Sequence, residues 1–135
     1  ITGLAGAATY NIYGTLFDGT NAILTNSYFA GASNSGAAND LATWYANNKK
    51  TQDLFTSTGA DAAKMIVMAL TANPTQNVDQ MITNLEGKSW VGVKGLMKID
   101  ASSHLLIQPM FLVSLNKSGS AYVPKLLKTI SGVGK

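Results

Sequence analysis

Apolar residues recur at helical spacing in several stretches of the chain. In the clearest of these, residues 61–72, they form a single stripe that stops at Asn73-Pro74, where a helix is expected to end. Asn77 is placed to cap a following helix and Gly87 to end it. In full, the predicted helices are residues 9–17, 37–47, 61–72, 78–85 and 122–130.

Alternating or continuous apolar runs predict strands elsewhere. Residues 95–100 and 105–115 read as two strands joined by a turn at residues 100–103, which together form a hairpin. Gly92 and Gly95 are expected to form a turn that leads into it. The earlier predictions are a strand end running into a loop at residues 1–8, a strand at 22–29 and a short buried strand at 53–56.

The order of these elements indicates a fold class. Helices and strands alternate early and the antiparallel hairpin comes late, a pattern typical of an α/β domain with a helix-flanked, mostly parallel sheet. A chain of 135 residues corresponds by length to one domain, residues 1–135. The five methionines follow helical or strand spacing, which favours core packing over an adaptable ligand surface.

Composition narrows the function classes. The chain is 46% hydrophobic and 13% charged, which excludes ordinary disorder. Every basic residue is Lys, the lysines are scattered and the net charge is only +3, so nucleic-acid binding is not predicted. Without cysteine the chain has neither disulfides nor thiolate metal sites. No apolar run reaches the ~18 residues of a membrane-spanning helix.

Catalytic and metal-binding constellations are missing from the sequence. His104 is the only histidine and the seven carboxylates are widely spaced, so neither a metal site nor a cofactor is predicted. We expect His104 to lie in the hairpin turn with its ring hydrogen-bonded locally, and the chain not to be an enzyme. Lys94, between Gly92 and Gly95, could suggest anion binding, but a turn is the favoured use of those glycines.

Five motifs lie in a fixed order along nearly the whole chain. They are GLAG (3–6), GADAA (59–63), VDQMITNLEG (78–87), WVGVKG (90–95) and SHLLIQPM (103–110). In this order they resemble the C-terminal lobe of an ABC-transporter solute-binding protein, a type I periplasmic binding protein of the branched-chain amino acid, extracellular ligand-binding receptor family. Each motif is weak alone; the order and spacing make the set specific.

The resemblance implies a three-layer αβα Rossmann-like lobe that supplies half of a ligand site. In this family the ligand lies between two lobes that close about a hinge, next to loops and helix N-termini. The hydroxyl residues before the long helix could equally cap that helix or bind the ligand. Asp61 is expected to compensate the helix dipole. The implied ligand-binding residues are Leu4, Ala5, Gly6, Ala7, Thr56, Ser57 and Thr58.

Two departures from the family pattern bear on the ligand. Amino-acid-binding members place a glutamate in the first loop, where it accepts from the ligand's ammonium group, and here Ala5 stands near that place. Ala60 replaces the aromatic residue after Gly59. Losing the carboxylate removes the usual charge partner of an α-amino group, so amides, small carboxylates and aromatic acids join amino acids as candidate solutes.

The resemblance also implies partners and a location. These are a small-molecule solute, an ABC permease in the membrane, an N-terminal lobe outside this sequence and an extracytoplasmic setting, with lipid anchoring of the full-length protein left open. A homodimer of the fragment is a further expectation, since a lobe without its partner exposes apolar surface. The alternatives are a ligand-sensing receptor domain of the same fold and a secreted structural or adhesive domain.

Overall fold

Three α-helices and five strands make up the described part of the chain, residues 14–18, 23–72 and 77–134 of a computed structural model. A 3₁₀ turn at Gly14–Phe17 precedes them. In chain order the elements are β1 (Ile23–Asn26), α1 (Gly36–Asn47), α2 (Leu54–Ala72), α3 (Val78–Leu85), β2 (Ser89–Gly92), β3 (Gly95–Ile99), β4 (Leu106–Ser118) and β5 (Ala121–Val133).

The long strand β4 organises the sheet. Its middle pairs with β1, from Ile23 opposite Ser114 to Asn26 opposite Phe111, and most of its length pairs with β5. Its first residues pair with β3, which in turn pairs with β2. The α/β class and the late hairpin are therefore confirmed.

All four strand pairings among the described residues are antiparallel, which differs from the predicted majority of parallel strands. The connections explain the difference. β2–β3, β3–β4 and β4–β5 are joined by short turns, and a short turn can join only antiparallel neighbours. The three helices lie in the connection between β1 and this meander, so the antiparallel pair of β1 and β4 is the one that is joined by a long connection.

Helix α2 begins earlier than predicted, and the expected strand at residues 53–56 is wrong. Asp53 caps the helix: its Oδ1 accepts hydrogen bonds from the backbone N–H groups of Phe55 at 2.9 Å and Thr56 at 3.2 Å. The hydroxyl Oγ1 of Thr56 accepts in return from the Asp53 N–H at 2.9 Å. This reciprocal cap starts the helix at Leu54, and the helix runs through Gly59 to Ala72.

The predicted terminal helix at residues 122–130 is also wrong, because this segment is strand β5. Gly119, with a φ of +61°, turns the chain back after β4, and the two strands then pair from Ser118 opposite Ala121 to Gln108 opposite Val133. Apolar residues at 122, 123, 126, 127 and 130 fit a helix or an irregular strand. Two register shifts in the ladder account for the uneven spacing.

The remaining element predictions fall into two groups. The strand at β1, helix α1, helix α3 with its Asn77 cap, the end of α2 at Ala72 and the turn after β3 agree with the structure. The cap of α1 by Ser35 is an additional feature of the structure. The prediction for residues 1–8, and most of that for 9–17, lies outside the described residues.

Two clusters of buried side chains form the core. The larger lies between β1, α1, β4 and β5 and contains Leu24, Tyr28, Phe111 and Val113. The smaller consists of Trp90, Met97 and Ile99, with partly buried residues of α2 and α3, Met65 and Met68 among them, packed against it. The predicted core role of these methionines agrees with this packing.

Candidate functional site

The resemblance implies two groups of ligand-binding residues, and only one of the two groups lies in the described part of the chain. Leu4, Ala5, Gly6 and Ala7 lie outside the described residues, so their role stays a prediction. The second group, Thr56 to Thr58, lies in the first turns of α2 instead of in a loop before it.

The three hydroxyl residues of α2 have different surroundings. Thr56 belongs to the helix cap. Ser57 is fully buried, and its hydroxyl donates to the carbonyl oxygen of Leu54 at 3.3 Å. Thr58 is exposed. Capping therefore accounts for Thr56, and the geometry leaves Thr58 as the member of the group whose side chain is open to a partner.

Asp61 has a role that the sequence interpretation missed. It is the eighth residue of α2, too far from the helix start to compensate its dipole, and it is buried. Its Oδ1 accepts a hydrogen bond from the backbone N–H of Val93 at 2.8 Å, so it ties α2 to the turn between β2 and β3. Its Oδ2 has no partner among the described residues. Burial raises the pKa of this carboxyl, and the turn's N–H groups and the Lys94 charge counteract that rise.

A sequence signal for this role existed. Ser57, Asp61 and Met65 follow one another at four-residue intervals and therefore lie on one face of the helix, as i, i+4 and i+8. A carboxylate between a methionine and a small residue on a core-facing stripe points to a buried acceptor for backbone N–H groups.

The turn between β2 and β3 brings Lys94 into a buried position. Its side chain extends to Gln108 on β4, where Nζ donates to Oε1 at 2.9 Å, and only 6% of the residue is exposed. Burial lowers the pKa of this ammonium group, and the charge of Asp61 opposes the shift. Lys94 lines a cavity of about 1000 Å³ beside β3.

His104 lies in the turn between β3 and β4, as predicted, but its partner is not local. It adopts a φ of +58°, and its Nε2 lies 2.9 Å from Glu86 Oε1 just after α3. The turn itself is held by Asp100, whose Oδ1 accepts from the N–H and hydroxyl groups of Ser102 and Ser103. These bonds, led by that of the Ser102 hydroxyl, lower the pKa of the Asp100 carboxyl.

Neither a metal cluster nor a membrane-spanning helix occurs in the described part of the chain. No three potential metal-ligating side chains among residues 14–18, 23–72 and 77–134 come together. Within the same residues, no helix combines the length and the apolarity needed to cross a membrane.

The fold is similar to that of solved ABC-transporter proteins. A branched-chain amino acid transporter protein from Rhodopseudomonas palustris CGA009 matches 96% of this chain with a TM-score of 0.84 at 18% identity. A substrate-binding protein from Sphaerobacter thermophilus matches 98% with a TM-score of 0.76 at 14% identity. A solute-binding protein from R. palustris BisB5, in complex with 3,4-dihydroxybenzoic acid, matches 84% with a TM-score of 0.72 at 16% identity.

The chain spans 35%, 45% and 31% of the length of these three proteins. A comparison of the sequence with protein-family models and with curated proteins finds no match. On the structural comparison, the chain has the type I periplasmic binding fold of ABC-transporter substrate-binding proteins, over a length that corresponds to part of such a protein.

Proposed function

We propose that this chain is one lobe of the extracytoplasmic solute-binding component of an ABC importer. The whole protein would capture a small polar solute, an amino acid, amide or small carboxylate, between this lobe and an N-terminal lobe. The observation that carries the proposal is the match of 96% of the chain, with a TM-score of 0.84, to a branched-chain amino acid transporter protein.

Capture of this kind needs no catalytic residue. Closure of two lobes about a solute is a population shift, driven by the higher affinity of the closed form. The closed form would then dock on a membrane permease. The whole protein would lie in the extracytoplasmic space, either free or held by a lipid anchor. The chain would be a transport protein and not an enzyme.

The ligand-binding surface would combine Leu4 to Ala7 with the start of α2. In α2, Thr58 is the exposed hydroxyl residue. Ala5 brings no carboxylate for an ammonium group, which favours an amide or a small carboxylate over an amino acid. The 3,4-dihydroxybenzoic acid held by one similar protein is a solute of the carboxylate class.

Calorimetry of the full-length protein that contains this chain tests the proposal. Titration with amino acids, amides and small carboxylates should give saturable binding to at least one class, whereas no binding across the panel would refute solute capture. The chain by itself, as half of a site, should bind that solute very weakly or not at all, so tight binding by these 135 residues would refute the half-site.

A matched pair of variants on α2 tests the site. Thr58→Val should weaken solute binding about two- to tenfold, as expected for one lost hydrogen bond. Thr71→Val is the control: Thr71 is also exposed on α2, but its hydroxyl donates to the Val67 carbonyl oxygen of the same helix. Equal affinities for both variants and the wild type would remove Thr58 from the site.

A further inference from the structure

One side of α2 is exposed and carries only apolar residues. The buried residues of the helix, Ser57, Asp61 and Ala69, lie on the side that faces the core. On the opposite side, an arc of about 140° at 3.6 residues per turn contains exposed residues without a polar side chain among them. We call this arc the outward face of α2, and its members are Phe55, Gly59, Ala62, Ala63, Ile66, Val67 and Leu70.

The outward face differs from that of an ordinary surface helix, which turns charged and polar residues to water. The two charged residues of α2 do not contribute to it, since Asp61 is buried and Lys64 lies outside the arc. Phe55, Ile66 and Val67 are 71%, 57% and 56% exposed. A helix that is apolar on all sides is typically buried on all sides. The composition of α2 therefore indicates that a partner covers its outward face.

The shape of the outward face fits another helix. Gly59, Ala62 and Ala63 are small and lie between the large side chains of Phe55 and Ile66 along the helix. A Cβ added at Gly59 would meet no described atom within 4 Å, so the space above this position is open. The distance between two packed helices, about 8–10 Å, depends on the side chains at their contact, and small ones permit the closest approach. A helix with large, uncharged apolar side chains complements this notch.

The size of the outward face favours a segment of the same polypeptide over a second copy of the chain. From Phe55 to Leu70 it is about 24 Å long and about 10 Å wide, so it offers a partner on the order of 300–500 Å². Stable complexes between separate molecules bury about 800 Å² on each partner. A segment of the same polypeptide is already held nearby, so a smaller contact is enough. The chain spans 35%, 45% and 31% of three similar solved proteins, so more than half of each lies outside the matched part.

We propose that a helix of the full-length protein, outside these 135 residues, packs an apolar stripe against the outward face of α2. This contact makes α2 an inner helix of the lobe, with the sheet on one side and the added helix on the other. The inference rests on the proposed function only in taking the chain as part of a longer protein. The outward face contains none of the residues assigned to the solute.

Thiol labelling of the full-length protein tests this contact, because these 135 residues contain no cysteine. Ile66→Cys places a thiol in the outward face. Thr71→Cys is the control, since Thr71 is exposed on α2 outside that face. Residue 66 should react at least about tenfold more slowly than residue 71, because its thiol is reached only when the contact opens. Mass spectrometry of the labelled peptides measures each position by itself.

Three results of the labelling would overturn the proposal. Equal rates at the two positions would mean that the outward face is open to solvent. Protection of residue 66 that is lost on dilution would assign the face to a second copy, and protection only in the presence of solute would assign it to lobe closure. A protein that binds solute but shows equal rates keeps the proposed function and loses this inference. A protein that binds no solute but protects residue 66 does the reverse.

A pair of lysine substitutions gives a second measurement on the full-length protein. Ile66→Lys buries an unpaired charge in the contact and should lower the midpoint of thermal unfolding by about 5–10 °C. Thr71→Lys adds the same charge outside the outward face and should change the midpoint by less than about 2 °C. Equal midpoints of the two variants would contradict the contact. If Ile66→Lys does not fold, the cysteine variants decide, because they introduce no charge.

Discussion

Only glycine fits at position 92, where β2 ends and the turn to β3 begins. A Cβ added at Gly92 would clash with Asp61 Oδ1 and would come within 2.7 Å of Met97 Sδ. Both neighbours are buried, so neither can move away freely. Any side chain at this position has to displace the carboxylate that holds the turn.

Gly92→Ala should therefore lower the free energy of unfolding by about 1–3 kcal/mol, the usual cost of overpacking a well-packed site. Gly59→Ala is the matched control, because Gly59 lies inside α2 with nothing within 4 Å of an added Cβ. That substitution should raise stability by about 0.5–1 kcal/mol. Urea unfolding of both variants measures the difference, and a neutral Gly92→Ala would show that Asp61 does not fix the turn.

Asp100 gives the turn between β3 and β4 a pH-dependent contribution to stability. Its pKa is lowered from 3.8 by the hydrogen bonds of Ser102 and Ser103, so the folded state favours the ionised carboxylate. A lowered carboxyl pKa contributes stability that is complete above the unfolded value and is lost as the pH falls below it. The window of loss therefore starts near pH 3.8 and extends downward.

The wild type and Asp100→Asn should accordingly differ in unfolding midpoint by a constant amount between about pH 5 and pH 7, and the difference should shrink in more acid solution. The comparison cancels the contributions of Asp18, whose pKa is also lowered, and of Asp61, whose pKa is raised. Thermal unfolding by circular dichroism across this range is the measurement. If the difference in midpoint stays the same down to the lowest pH measured, the hydrogen bonds to the ionised Asp100 carboxylate do not stabilise the folded state.

At the scale of elements, the sequence predicted those helix ends that are determined by interactions between neighbouring residues. Asn77 predicts the start of α3 and Pro74 the end of α2, whereas the Ser35 cap of α1 is seen only in the structure. The misjudged start of α2 had a signal that was not used, since Asp53 and Thr56 form a capping box.

The segments that could not be predicted are determined by distant contacts. β5 is a strand because it pairs along β4, and its own spacing of apolar residues fits a helix equally well. Asp61 and Lys94 share this property: their roles depend on Val93 and Gln108, which are 32 and 14 residues away. Thr56 to Thr58, which belong to the ligand site implied by the resemblance, lie in helix α2 instead of in a loop before it. Their role in ligand binding stays a prediction.

Strand β5 offers a surface for pairing with a second copy of the chain. It pairs with β4 on one side, and no described strand pairs with its other side. Val123, Leu127, Ile130 and Val133 are exposed along it, while lysines alternate with them. An edge strand with exposed apolar residues is a template for association, which charged residues weaken.

We therefore expect the isolated chain to form dimers at high concentration through this edge. Leu127→Lys, which replaces an exposed leucine of β5 with a charge, should shift the equilibrium to the monomer. Leu105→Lys is the control, because Leu105 is exposed in the turn before β4. Sedimentation velocity over a concentration series measures both, and equal dissociation by the two variants would place the interface elsewhere.

At the scale of the whole molecule, the two core clusters are joined by three kinds of link. β4 pairs with β3 at its start and with β1 and β5 further along. The hairpin of β2 and β3 supplies Trp90 to the smaller cluster and Val93 to the larger one. The Ser35 hydroxyl that caps α1 also donates to the Gly92 carbonyl oxygen at 2.8 Å. Elements of both clusters thus meet at one turn.

These links predict that the chain unfolds as one unit, as expected for a single domain of residues 1–135. Leu24→Ala in the larger cluster and Met97→Ala in the smaller one should each cost about 2–5 kcal/mol, since both residues are almost fully buried. Leu96→Ala is the exposed control on β3 and should change stability by less than about 0.5 kcal/mol.

Two probes report on the clusters separately during urea unfolding. In a Trp44→Phe background the fluorescence of Trp90 follows the smaller cluster, and the methyl signals of Val113 follow the larger one. In a two-state transition all probes share one midpoint, so each core variant should shift both probes equally. If Leu24→Ala moves only the Val113 midpoint and Met97→Ala only that of Trp90, the clusters unfold independently. The hairpin of β2 and β3 would then be a flexible junction between two units instead of a rigid link within one lobe.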